Sequence, residues 1–120
     1  DMVLVLEDEN AVRRVEPDLN LVLMIPGCVN LIVTAKGEHA DFVSRYFTPG
    51  ISIPEDPVTG SAHSTLIPFW AERLNKEKMT AKQLSKRGGT MYCENCGNRV
   101  KIAGEAKLYL QGEILLDGRI

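Results

Sequence analysis

The sequence has no long hydrophobic run. Its apolar stretches, such as Leu21-Val22-Leu23-Met24-Ile25, are far too short to span a bilayer, and Pro26-Gly27 interrupts that one. No membrane partner follows. A strong charge of either sign is also missing: 14 basic residues stand against 16 acidic ones, a formal net charge of -2, which excludes the broad electrostatic field of a nucleic-acid-binding domain. Cysteine is scarce and odd in number, three in all, so no disulfide framework is implied and a reducing compartment fits. The segment Asp1 to Asn10 carries no basic run ahead of its apolar residues, so no signal peptide is read there and a cytoplasmic location is expected. Internal repeats and low-complexity segments are absent. A length of 120 residues suits one hydrophobic core, and residues 1–120 are read as a single domain.

What is present is a mixture of helical and strand signals. Met2-Val3-Leu4-Val5-Leu6 reads as a buried strand with almost nothing before it, the pattern of a chain entered midway. Glu7 to Asn10 supplies capping residues for a helix over 9–16 that Pro17 ends, and Asp18 can cap a second short helix through Ile25. Periodicity alone also permits a strand in that second run. Val29 to Ala35 and Asp41 to Phe47 are β-rich and separated by the turn Lys36-Gly37-Glu38-His39, so they are expected to pair. From Gly60 onward, Ala62, Thr65, Leu66, Ile67, Phe69, Trp70, Ala71 and Leu74 surround a helical wheel, the mark of a helix buried on most sides. Pro68 lies inside it and is expected to kink it. Thr80 is read as the cap of a short helix ending at Gly88-Gly89. Strands are expected over 90–94, 99–103 and 105–116, separated by Asn95-Cys96-Gly97-Asn98 and Gly104. Strands wrapped about one buried helix is the architecture these signals favour.

The most informative stretch is Ile53-Pro54-Glu55-Asp56-Pro57-Val58-Thr59-Gly60-Ser61-Ala62-His63. Asp56 precedes proline, which pushes its backbone out of the helical region and presents its carboxylate from a rigid extended segment. Gly60 and Ser61 at a helix start leave backbone N–H groups at the positive end of the helix dipole, a ready site for a substrate carboxylate. A carboxylate beside such a cradle suits proton transfer next to a bound acid and needs no cofactor. Glu55 and Asp56 are adjacent in an extended segment and point opposite ways, so only one can face the site. The same residues also suit a solvated acidic turn followed by an ordinary N-cap at Thr59, Gly60 or Ser61. His63, in the first turn of the helix, is read as neutral and ranks below Asp56 and Ser61.

"IPEDPVTGSAH", followed by "LIPFWAERL", "LSKRGG" and "AGEAKLYLQGEI", resembles the C-terminal half of the phenazine-biosynthesis PhzF-like isomerases, relatives of diaminopimelate epimerase. "VTAKGEHADFVSRYFTPG" is similar to that family's lead-in, so the resemblance covers nearly the whole chain. It implies an α/β (α+β) lobe of the diaminopimelate epimerase-like fold, a curved mixed sheet wrapped around a central buried helix starting near Gly60. It also implies cofactor-independent proton-transfer isomerisation of a small carboxylic acid. In the resemblance, Asp56 matches the family's active-site aspartate, and Gly60 and Ser61 its substrate-binding pair, with Thr59 and His63 as weaker contributors. No cofactor and no metal are implied. The family's principal acid/base glutamate belongs to an N-terminal lobe and has no counterpart in this sequence. The two-thiol mechanism of the epimerases is disfavoured, because Ser61 stands in the motif and Cys28, Cys93 and Cys96 lie elsewhere.

Three other readings compete. Cys93-Glu94-Asn95-Cys96-Gly97 has zinc-knuckle spacing, yet a tetrahedral site needs four ligands, so metal would require two chains or distant His39 and His63, and strand residues flanking a hairpin turn are the simpler reading. Arg73, Lys76, Lys78, Lys82, Lys86 and Arg87 could hold an anionic partner, but no aromatic residues interleave with them for base stacking, and a solvated helix face is the simpler reading. Finally, a lone lobe could be a small-acid binding or structural protein. A homodimer is expected in place of a two-lobed enzyme, with two Asp56 side chains across a shared cleft.

Overall fold

The computed structural model describes residues 1–118. Ten elements follow one another: β1 (Met2–Val5), α1 (Glu9–Arg14), α2 (Leu19–Leu23), β2 (Leu31–Lys36), β3 (Phe42–Phe47), β4 (Glu55–Asp56), α3 (His63–Leu74), β5 (Lys78–Gln83), β6 (Gly89–Asn95) and β7 (Val100–Ala103). The strands form one mixed sheet in the order β1-β2-β3-β5-β6-β7, with the two-residue β4 paired to β3. β1 runs parallel to β2 and β3 parallel to β5, and the β2–β3, β5–β6 and β6–β7 pairs are antiparallel. The β1–β2 connection carries α1 and α2, and the β3–β5 connection carries β4 and α3.

Helices therefore cover both faces of the sheet centre. On one side α3 sends Leu66, Ile67, Trp70 and Ala71 into a cluster with Ile32, Phe42, Met79, Ala81, Met91 and Cys93. On the other side Val12 and Val22 meet Leu31, Val33, Ala35, Val43 and Phe47. Burial on two faces explains why β2 and β3 read as near-continuous apolar runs. Where polar atoms enter this core they are paired. The Trp70 ring nitrogen donates to the Thr34 hydroxyl at 3.0 Å, and that hydroxyl donates to the Val43 carbonyl at 2.6 Å.

The start of α1 is capped by Asp8, whose carboxylate accepts from the Ala11 N–H at 2.7 Å, and α2 is capped by Asp18 as its sequence predicts. Four expectations are corrected. β1 is an edge strand, with Leu4 and Val5 exposed and not buried, because only β2 flanks it. The run after Thr80 is not a helix: Lys78–Gln83 is a strand, held by β3 on one side and β6 on the other, with Met79, Ala81 and Gln83 facing inward. α3 is buried along one stripe only; Ser64, Thr65, Pro68, Glu72 and Arg73 lie exposed. Pro68 sits within that uninterrupted helix on its exposed side, where the carbonyl it deprives of a donor can be hydrated. No strand forms over 105–116; the chain beyond Ala103 has no regular element among the described residues, and Leu108, Tyr109, Leu110, Ile114, Leu115 and Leu116 stand exposed. No helix of the described residues is long and apolar enough to cross a membrane.

Candidate active site

The β3–β4 register places Tyr46 opposite Asp56 and Phe47 opposite Glu55. Because neighbours on a strand face opposite ways, the two carboxylates separate. Glu55 takes a bidentate ion pair from Arg45, at 2.8 and 3.0 Å. The third guanidinium nitrogen of Arg45 donates to the carbonyls of Val12, Arg13 and Val15 at the end of α1. Glu55 is thus committed to structure, and Asp56 is the carboxylate left for the site.

Residues 57–59 turn the chain from β4 toward α3, and every polar group of Thr59 is engaged on the way. Its N–H donates to Gln83 Oε1 at 2.7 Å, its carbonyl receives His63 Nδ1 at 2.8 Å, and its hydroxyl donates to Asp56 Oδ2. Gln83 Nε2 completes the frame, reaching the Asp56 carbonyl at 2.8 Å and the Thr59 hydroxyl at 3.0 Å. The β5–β6 turn supports the loop from outside: Ser85 donates to the Pro57 carbonyl at 2.7 Å and accepts from the Gly88 N–H at 3.0 Å. Gly89 is required there, since a Cβ on it would lie 2.3 Å from Val58 Cγ2.

His63 is fully enclosed, 5.8 Å from the Phe42 ring. Burial holds its pKa below the ordinary value, against the opposing pull of the Thr59 carbonyl. With Nδ1 donating to that carbonyl, Nε2 is a bare and unpartnered buried acceptor. It lies inside the core, where Nδ1 holds the Thr59 carbonyl, and Thr59 is buried with it.

Gly60 and Ser61 differ in every respect. Both are exposed, and the N–H groups of Gly60, Ser61 and Ala62 find no acceptor among the described residues. The next three N–H groups close 3₁₀-type turns back to the carbonyls of Gly60, Ser61 and Ala62 at 3.0 to 3.1 Å. A Cβ on Gly60 would meet nothing within 4 Å. The open N–H groups and the free Asp56 Oδ1, which has no protein donor among the described residues, lie at the two ends of the same short loop. None of four surface hollows, of about 370 to 550 Å³, is lined by Asp56, Gly60 or Ser61. The site lies open at the surface.

Two residues at this site escaped the sequence reading. Gln83 was hidden inside a segment read as helix, although a polar residue in phase with Met79 and Ala81 is a usable signal once the strand is recognised. Tyr46, whose phenol donates to Asp1 Oδ2 at 2.9 Å, has its pKa raised by burial, against the opposing pull of Asn30 and with help from the Asp56 charge. The cysteines part company: Cys93 is buried in the core, where burial and then Asp41 push its thiol up to about 11, and Cys96 is exposed on the β6–β7 turn. No group of three or more candidate metal ligands gathers among the described residues. The basic residues from Arg73 to Arg87 do not share a helix face; Arg73 stacks on Phe69 at 3.8 Å, and Lys76 pairs with Asp41.

The family model described as phenazine biosynthesis-like protein, PhzC-PhzF, matches residues 1–112. The chain belongs to the PhzF family. It is 50% identical over 115 residues to an uncharacterized isomerase of Pseudomonas aeruginosa, a match covering 96% of this chain and 44% of that protein. The PhzF-family chain thus spans less than half the length of that relative. Among solved structures, an Enterococcus faecalis PhzF-family protein superposes with a TM-score of 0.86 at 48% identity, covering 97% of this chain and 45% of the other. A PhzC/PhzF protein of Clostridium difficile gives 0.84 at 47% identity, covering 95% and 44%. The mixed α/β fold expected of a PhzF-like lobe is the fold observed.

Proposed function

We propose that this chain carries part of the active site of a PhzF-family isomerase that moves a proton within a small carboxylic acid without a cofactor. The observation that carries the reading is the contrast within one loop: Asp56 offers an unpartnered Oδ1 from a fixed position, next to three N–H groups without acceptors. The N–H groups of Gly60, Ser61 and Ala62 would bind the substrate carboxylate, with the Ser61 hydroxyl as a further donor. Asp56 would assist in taking a proton from a substrate carbon and returning it at another position, so that nothing is oxidised or reduced. The names of its relatives, which include uncharacterized isomerases, support this class of reaction.

An open site also needs a wall. The exposed apolar residues from Leu108 to Leu116 call for a covering surface, and a second copy of the chain as that wall would place two Asp56 carboxylates across one cleft. The test is solvent-deuterium incorporation into a panel of small amino and hydroxy acids, run on fractions whose mass is fixed by light scattering. Exchange is expected in the dimer fraction, and Asp56→Asn or Ser61→Ala should each lower it by at least about tenfold, in line with the loss of one general acid/base group or one oxyanion donor. Exchange unchanged in both variants would remove these residues from the mechanism. Exchange confined to monomer would remove the second copy.

A further inference from the structure

Gln83 ends the inward row of β5 with a side chain only 1% exposed, and it has no role in the chemistry described so far. Its carboxamide can sit only one way round. The Thr59 N–H can only donate and so requires Oε1; the Asp56 carbonyl can only accept and so requires Nε2. The second proton on Nε2 then points at the Thr59 hydroxyl oxygen, 3.0 Å away. With its oxygen receiving from Gln83, the hydroxyl has one proton to place, and the acceptor in reach is Asp56 Oδ2. The Thr59 carbonyl is taken up by His63 Nδ1, so rotation of the loop offers no alternative.

We infer that Gln83 is a positioning residue: through the Thr59 hydroxyl it commits Asp56 Oδ2 to an internal hydrogen bond, so that proton transfer uses Oδ1. A glutamine suits this task because it presents a donor and an acceptor side by side. Glutamate offers two acceptors and would draw the hydroxyl proton to itself, away from Asp56. Methionine fills the volume and presents neither group. The inference rests on the proposed role of Asp56 for its meaning in catalysis, but the hydrogen-bond relay can be tested without a substrate.

The test follows the side-chain carboxylate ¹³C resonance of Asp56 at neutral pH in the full chain, with the ¹H–¹⁵N spectrum confirming the fold of each variant. Thr59→Val should move that resonance by more than its line width, and Thr59→Ser, which keeps the hydroxyl, should restore it. Gln83→Met should move it in the same direction, and in the Thr59→Val background Gln83→Met should add only the smaller shift that loss of the donor to the Asp56 carbonyl brings. If Gln83→Met does not fold, Gln83→Glu keeps the bond from the Thr59 N–H and should still shift the resonance as Thr59→Val does. An Asp56 resonance unmoved by a folded Gln83 variant, or shifts that simply add in the double variant, would overturn the relay. Solvent-deuterium incorporation measured on the same samples reads the proposed reaction separately. Its absence in the wild type alongside a coupled resonance shift would count against the isomerase reading and leave the relay standing.

Discussion

Residues 56–59 and residues 60–62 are neighbours in the chain, yet they are treated in opposite ways. In the first group, Asp56 Oδ2 and every polar group of Thr59 are bound by the protein, chiefly through Gln83 and His63. In the second, three consecutive N–H groups are bound by nothing among the described residues. Unsatisfied donors are affordable at the surface, where water serves them, and costly inside, where each would forfeit about 1–3 kcal/mol. The difference teaches that the loop separates a held part from an open one: a buried frame fixes residues 56–59, and Gly60 and Ser61, exposed just ahead of the buried Ala62, keep their N–H groups open.

The comparison can be broken most forcefully from the buried side. His63→Ala empties a fully enclosed position and strips the Thr59 carbonyl of its donor, and should destabilise the protein by on the order of 3 kcal/mol in denaturant unfolding. A loss below about 0.5 kcal/mol, the range of an ordinary surface change, would mean the frame is not supporting the loop.

Two glycines sharpen the contrast. Gly89→Ala drives a methyl against Val58 and should cost about 1–3 kcal/mol. Gly60→Ala, facing open space, should stay within about 0.5 kcal/mol in the same unfolding assay while obstructing the approach of a ligand to the helix start. Equal costs at the two positions would erase the distinction between supported and presented backbone.

The smallest effect is a pH dependence in two stages. His63 has a folded pKa below its ordinary 6.5, so the unfolded chain binds the extra proton first, and stability present above that value should decline as pH falls below it. Glu9 is lowered by the Glu38 N–H, against burial and with help from Arg13. At Asp41, burial pushes upward but is outweighed by Lys76 and the Thr80 N–H. The stability held by these carboxylates is present above their ordinary values of 4.5 and 3.8 and should be lost as pH falls through the lower folded ones. Thermal melts across pH should show both stages, and His63→Gln should abolish the first while keeping the second.

Much of the fold was legible because its signals were local. Asp8 and Asp18 mark helix starts, the paired apolar runs at Leu31 and Phe42 mark strands buried on two faces, and Asn95 to Asn98 marks a hairpin. Lys78–Gln83 was not legible: its residues are ordinary helix formers, and only β3 and β6 on either side turn the segment into a strand. The run from Glu105 to Leu116 erred the other way. It alternates like a strand, but a strand needs a neighbour to accept its hydrogen bonds, and none lies beside it among the described residues.

The sequence by itself determined the motif, its family and the rigid Asp56-Pro57 step into an open helix start, because proline geometry and unpaired terminal N–H groups are properties of a few consecutive residues. Tertiary structure alone decided which residues of the motif are tied up or buried and which stay open. It turned Glu55 to Arg45, buried His63 against Phe42, and brought Gln83 from 24 residues away to the Thr59 N–H. Those assignments depend on which strands lie side by side, and strand order is set by packing across the whole sheet and not by any one stretch of chain.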